Sequence, residues 1–115
     1  MAKALITWGG WDGHEPEKVA ALFATDLRAA GMSVEVTDTL ACFDDPARLA
    51  DLSLIVPVWT MSTIEKAQSE NVAAAVAALT GDDGPHVVIE AVGADVTFRP
   101  SIDLVGSCGR VGYVG

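Results

Sequence analysis

The sequence predicts an α/β protein: a three-layer, doubly wound parallel sheet of five strands in the flavodoxin-like order 2-1-3-4-5, with the final helix missing. Two observations lead there. Short apolar runs alternate with segments of helical spacing along the whole chain, and turn signals mark each change. Five such strands interleaved with four helices imply right-handed crossovers and a mostly parallel sheet covered on both faces. Other strand orders built from the same elements stay open.

Each element has its own reason. Ala4-Leu5-Ile6-Thr7-Trp8 is a short apolar strand that enters a loop at Gly9-Gly10. Pro16 suits a first helical turn, where its missing N–H costs nothing. Val19, Ala20, Leu22, Phe23, Ala24 and Leu27 follow at helical spacing, and Gly31 closes the helix. Met32 to Val36 alternates apolar and polar, as a half-covered edge strand does. Phe43 to Leu49 fits a short helix with acidic residues and proline at its start.

Leu52 to Trp59 reads as a strand buried on both faces for most of its length. Pro57, which cannot donate to a ladder, is expected near its end or at a bulge. Ser62 with Glu65 matches a capping box for a helix over Ile64–Leu79, whose alanine-rich middle favours that state. Val87–Val92 is a fourth strand. Phe98, Ile102 and Val105 mark a short helix around Pro100, and Gly109–Val114 is a fifth strand.

The bulk properties narrow the function. A chain of 115 residues, half hydrophobic and one fifth charged, is expected to form a single globular domain. No run approaches the roughly 20 apolar residues of a membrane span. The start at Met1-Ala2-Lys3 leads straight into a strand with no signal peptide, so the expected setting is cytoplasmic, away from membranes. Sixteen acidic against seven basic side chains give a net charge of −9, which argues against a nucleic-acid partner. Cys42 and Cys108 match no metal or redox spacing.

In an open α/β sheet, ligands sit beyond the carboxyl ends of the strands where chain order reverses, here between the first and third strands. Trp8, Gly9, Gly10, Trp11, Asp12 and His14 approach that point from one loop, and Trp59, Thr60 and Met61 from the other. Tryptophans beside a histidine and an aspartate suit a sugar platform, because flat apolar rings stack on sugar faces. The same residues have plainer readings. His14 and Glu15 stand just before Pro16, where they suit a helix N-terminus, and Trp8 and Trp59 suit lids on a core. Asp12, His14 and Glu15 are too few and too close in sequence to converge on a metal, so none is expected. Ser101 and Ser107 lack a nucleophile elbow, His86 lies near a strand start away from the expected site, and Glu90 needs a partner if buried.

The segments Ala4–Pro16, Thr37–Leu40 and Leu54–Met61, above all the string Trp8-Gly9-Gly10-Trp11-Asp12-Gly13-His14-Glu15-Pro16, resemble the ThuA-like (trehalose-utilisation) family. That family is a branch of the class I glutamine-amidotransferase-like superfamily, and the resemblance covers about the first 75 residues. It implies a flavodoxin-like scaffold and a sugar-related site in which His14 serves as polar contact or acid/base. The family's following Trp-His-Gly-Gly type segment does not occur after Leu79.

From about residue 76 onward, Ala78–Gly93, Thr97–Val105 and Gly109–Gly115 resemble instead the cofactor domain of medium-chain, zinc-type alcohol dehydrogenases, with His86 and Cys108 where that family usually has Asp and Gly. No Gly-x-Gly-x-x-Gly turn follows any strand, so the pyrophosphate grip of that family is missing and no NAD cofactor is expected. The hydroxyl-rich phosphate loop of flavodoxins is likewise absent from Gly9 to Glu15.

The two resemblances meet within the Ile64–Leu79 helix, between Asn71 and Ala78. Insertions and chance fusions favour exposed loops. A join inside a helix fits engineered recombination of superposable fragments, and the expected product is a chimera without native catalytic activity. The competing readings are a reduced ThuA-like sugar enzyme and a sugar- or nucleotide-binding domain. With the last helix missing, an uncovered apolar face is expected, which leads either to a homodimer through that face or to a repacked first helix.

Overall fold

The structure, a computed structural model, describes residues 1–81, 83–85, 87–90, 103, 104, 106 and 109–113. It is α/β. Strand β1 (Lys3–Gly10) leads through a 3-10 turn at Asp12–His14 into helix α1 (Pro16–Ala29) and strand β2 (Ser33–Thr37). A second 3-10 turn at Leu40–Phe43 precedes α2 (Pro46–Leu49) and β3 (Leu54–Thr60). Then come α3 (Lys66–Leu79), β4 (Val87–Glu90) and β5 (Arg110–Tyr113). By its internal contacts the chain falls into two compact units, Met1–Val72 and Ala73–Gly115.

The first unit holds a parallel sheet of order β2-β1-β3. β1 is its centre and is buried from Ala4 to Thr7. Alternation along a strand sends Ile6 and Trp8 to one face, and there Ile6 meets Ala20 and Ala24 of α1. The two alanines let the helix backbone come close to the sheet, and Leu27, Val34, Val56 and Val58 pack around the contact. Thr7 faces the other way, and its buried hydroxyl donates to the Thr39 carbonyl at 2.8 Å. Pro16, Leu40, Cys42, Phe43, Leu49 and Leu52 are the other buried residues of the first unit. Full burial of a side chain such as Phe43 or Leu49 contributes about 1.5–3 kcal/mol.

The helix ends follow local chemistry. Gly31 takes φ 89° just beyond α1, while its N–H donates to Arg28 and the Met32 N–H reaches back to Leu27. That is the paired closure of a Schellman motif, which glycine adopts without a Cβ penalty. Asp45 accepts from the Ala47 N–H at 3.0 Å and Pro46 fills the first turn of α2. Thr39 caps the preceding 3-10 turn in the same way, through the Ala41 N–H.

Three expectations change in detail. The helix α3 starts at Lys66, not Ile64, and the reach-back is made by Gln68, whose side-chain oxygen accepts from the Glu65 N–H at 3.1 Å. Only the reach-back half of a box is made, one turn beyond Ser62. Pro57 sits in the middle of β3, opposite Thr7, and the register runs through it with no bulge. Among the described residues β3 pairs with β1 on one side only, and a proline whose nitrogen faces an unpaired side removes no ladder bond. Leu22 and Phe23, expected on the buried face of α1, are exposed at 68% and 45%, because Ala20, Ala24 and Leu27 set that face instead.

In the second unit β4 and β5 pair in parallel, Val87 with Arg110 through Glu90 with Tyr113. Gly106 lies against the Pro85 carbonyl through a 2.9 Å backbone bond. Most of the helix expected around Phe98–Val105, together with His86, Ser101, Ser107 and Cys108, lies outside the described residues. Among the described residues the strands form a sheet of three and a sheet of two, where one sheet of five was expected.

Candidate functional site

Because β1 and β3 are parallel neighbours, their carboxyl ends emerge side by side. Pairing continues to the last residues, Gly9 with Trp59 and Gly10 with Thr60. One step further, the Trp11 N–H donates to the Thr60 carbonyl at 2.9 Å. The glycines make this approach possible. A Cβ on Gly10 would lie 1.8 Å from the Thr60 oxygen, and one on Gly9 would lie 2.3 Å from the Trp59 ring.

The tryptophans therefore divide into separate tasks. Trp8 is half-buried against the Ile6–Ala20–Ala24 cluster. Trp59 lays its indole across Gly9 and donates Nε1–H to the Thr63 carbonyl at 3.0 Å, which holds the loop after β3. Trp11 alone of the three presents a largely open ring, 55% exposed.

The Asp12–His14 turn is closed by the Glu15 N–H on the Asp12 carbonyl at 2.9 Å. It brings His14 back against Trp11, ring centroids 4.7 Å apart and edge to face. The ring of Trp11 rests over Gly13, where a Cβ would stand 2.2 Å from it. His14 Nδ1 is hydrogen-bonded to Thr60 Oγ1, which joins the two loops by their side chains as well as their backbones. The residue after each partner is left-handed without being glycine: Glu15 at φ 51° and Met61 at φ 50°. Strain of that kind collects at functional sites and costs about 1–3 kcal/mol per residue.

Of the residues expected at this end of the sheet, Gly10, Trp11, His14 and Thr60 form one cluster, with Gly9 and Trp59 packed beneath it. Asp12 is exposed at the start of the turn and Trp8 belongs to the core. Glu15 stands at the helix N-terminus, as its place before Pro16 suggests, whereas the His14 side chain turns to Thr60. Glu15 occupies the N-cap position with no side-chain cap bond, its carboxylate instead accepting from Lys18 Nζ at 2.7 Å. Among the described residues no group of three or more His, Cys, Asp or Glu is placed to hold a metal. Sequence reasoning passed over Gly13, and its signal was a glycine inside a three-residue turn flanked by Trp11 and His14.

A cavity of about 440 Å³ opens at the opposite, amino end of the sheet. Two exposed ion pairs line it, Lys3 with Asp51 and Arg48 with Glu35, so the charges there already have partners. The Lys3 hydrogen bond, reinforced by its charge, holds the Asp51 carboxyl below its ordinary pKa.

Fold and cluster together define a parallel α/β protein with a tryptophan–histidine–threonine group at the carboxyl ends of adjacent strands. No helix among the described residues is long and apolar enough to cross a membrane. Comparison with family models, curated proteins and solved structures finds no match.

Proposed function

We propose that the chain is a composite of two parallel α/β fragments, a ThuA-like part to about residue 75 and an alcohol-dehydrogenase-like part beyond it, brought together by recombination. In this reading the chain performs the reaction of neither family, and its two parts build one doubly wound sheet of order 2-1-3-4-5. One observation carries it: the boundary between the compact units, Val72 to Ala73, falls inside the 71–78 span where the resemblance changes.

The three tryptophans lie in the first unit, and the single tyrosine, Tyr113, in the second. Urea unfolding followed by tryptophan fluorescence therefore reports the first unit, while far-ultraviolet circular dichroism reports both. The two transitions coincide if the fragments share one interior. Separate midpoints overturn the single sheet.

A second reading, sugar or nucleotide binding, is favoured by the open Trp11 ring beside His14 and Thr60. Thermal-shift titration with monosaccharides, NAD and FMN tests it. A saturable rise in melting temperature that Trp11→Ala abolishes supports binding at this cluster, and a flat response to all three removes it.

A further inference from the structure

The geometry points to a nucleophile–base pair at the carboxyl edge of the first unit, Thr60 as nucleophile and His14 as general base, competent for acyl transfer from small neutral esters. The inference uses the loop pair described above but not the composite ancestry, so the two stand or fall by different experiments.

A hydroxyl is a weak nucleophile until a neighbouring base takes its proton, and the signature of such a pair is a direct hydrogen bond between them. His14 Nδ1 and Thr60 Oγ1 make that bond. Nδ1 accepts the hydroxyl proton only if the ring carries its own proton on Nε2. Both residues are open to incoming substrate and water, His14 being exposed and Thr60 half-exposed.

The backbone supports the role. Thr60 ends a parallel strand, and the chain turns sharply after it through left-handed Met61. The Thr60 carbonyl is pinned by the Trp11 N–H, which fixes the main chain that carries the hydroxyl. In strand-end nucleophile sites the N–H of the following residue stabilises the oxyanion; that residue here is Met61. His14 is braced edge-on by Trp11. The exposed Trp11 and Met61 side chains, 55% and 79% open, supply an apolar rest for the ester, and the net charge of −9 disfavours anionic ones.

The steps balance without a further reagent. Thr60 Oγ bonds to the ester carbonyl carbon as its proton passes to His14 Nδ1. The tetrahedral adduct collapses, the bond to the leaving oxygen breaks, and the imidazolium returns the proton to that oxygen. Water, losing a proton to Nδ1, then adds to the acyl-threonine, and the carboxylic acid departs as the threonine hydroxyl is restored.

The test is hydrolysis of p-nitrophenyl acetate by the full chain, with acid-quenched peptide mass spectrometry to locate any acetyl group. Acetyl is expected on the peptide carrying Thr60. Thr60→Val, which keeps the shape, and His14→Ala should each lower the rate by about 100-fold, the low end of general-base catalysis. Thr60→Ser should retain the rate. An unchanged rate in Thr60→Val, loss of the rate in a folded Thr60→Ser, or acetyl found only on lysine overturns the pair.

Discussion

Gly10 lies so close to Thr60 that a β-carbon on the glycine would stand 1.8 Å from the threonine carbonyl oxygen. This contact lets β1 and β3 pair to their last residues and delivers Trp11 and His14 to Thr60. Gly10 also holds φ 91°, a conformation other residues adopt only under strain. Gly10→Ala is expected to lose about 1–3 kcal/mol of stability from the backbone conformation alone. Urea denaturation measures the loss, and an unchanged midpoint shows that the loop ends can move apart freely.

Gln68 and Asn71 tie the start of α3 to the 40–44 segment. Asn71 Nδ2 donates to the Phe43 carbonyl at 2.9 Å, and Gln68 Nε2 donates to the Leu40 carbonyl and to Asp44 Oδ1 at 3.1 and 2.9 Å. Removing either amide costs about 1 kcal/mol, as for an ordinary hydrogen bond whose partner is left behind. Because the bonds of both amides meet at the same segment, the double variant Gln68→Ala/Asn71→Ala should depart from additivity. A double-mutant cycle by chemical denaturation reads the coupling; strict additivity shows that the two amides act independently.

Lys3 and Asp51 set a defined pH response at the amino end of the sheet. Folding lowers the Asp51 pKa, chiefly through the Lys3 hydrogen bond and then through its charge. Stability from this pair is therefore fully present above the unfolded carboxyl pKa and is lost as pH falls through the lower folded value. Lys3→Met should raise the Asp51 pKa towards the ordinary carboxylate range in a carbon-detected NMR titration. A curve identical to that of the unsubstituted protein removes Lys3 as the cause.

Leu22 and Phe23 stand out on α1 as open apolar side chains, neighbours of half-buried Val19 on the same flank. A homodimer formed through this flank would depend on them. Leu22→Lys with Phe23→Gln is expected to lower the weight-average mass in sedimentation at high concentration while each change alters stability by only about 0.5 kcal/mol. An unchanged mass assigns any association to another face.

Much of the first unit was legible from local signals. Pro16 and Gly31 bracket α1, and the Ala4–Trp8 run marks β1. The observed order 2-1-3 is the start of the doubly wound arrangement that the alternating elements suggested, although right-handed crossovers alone leave other orders open. Harder to read were features that depend on a neighbour in space. The hydrophobic spacing of α1 does not tell Leu22 from Ala24, because the face is chosen by how closely small residues let the helix approach β1. Ser62–Glu65 has the residue types of a capping box, yet the reach-back bond comes from Gln68, which also reaches Leu40 and Asp44. The convergence on the carboxyl ends of β1 and β3 was foreseeable, and so was a lid role for Trp8 and Trp59, but the seats of the Trp11 and Trp59 rings were not. Those seats turn on glycines at 9 and 13 that leave room for indole rings.

Cys42, 1% exposed beneath the 40–43 turn, has its Sγ 3.4 Å from the Thr39 carbonyl. A thiol reagent cannot reach sulfur in that position while the turn is closed. The alkylation rate of the Cys42 peptide, resolved from Cys108 by mass, thus becomes a clock for how often this part of the protein breathes. With Gln68 and Asn71 intact the clock should run slowly, and Asn71→Ala should quicken it before any change registers in the bulk unfolding curve.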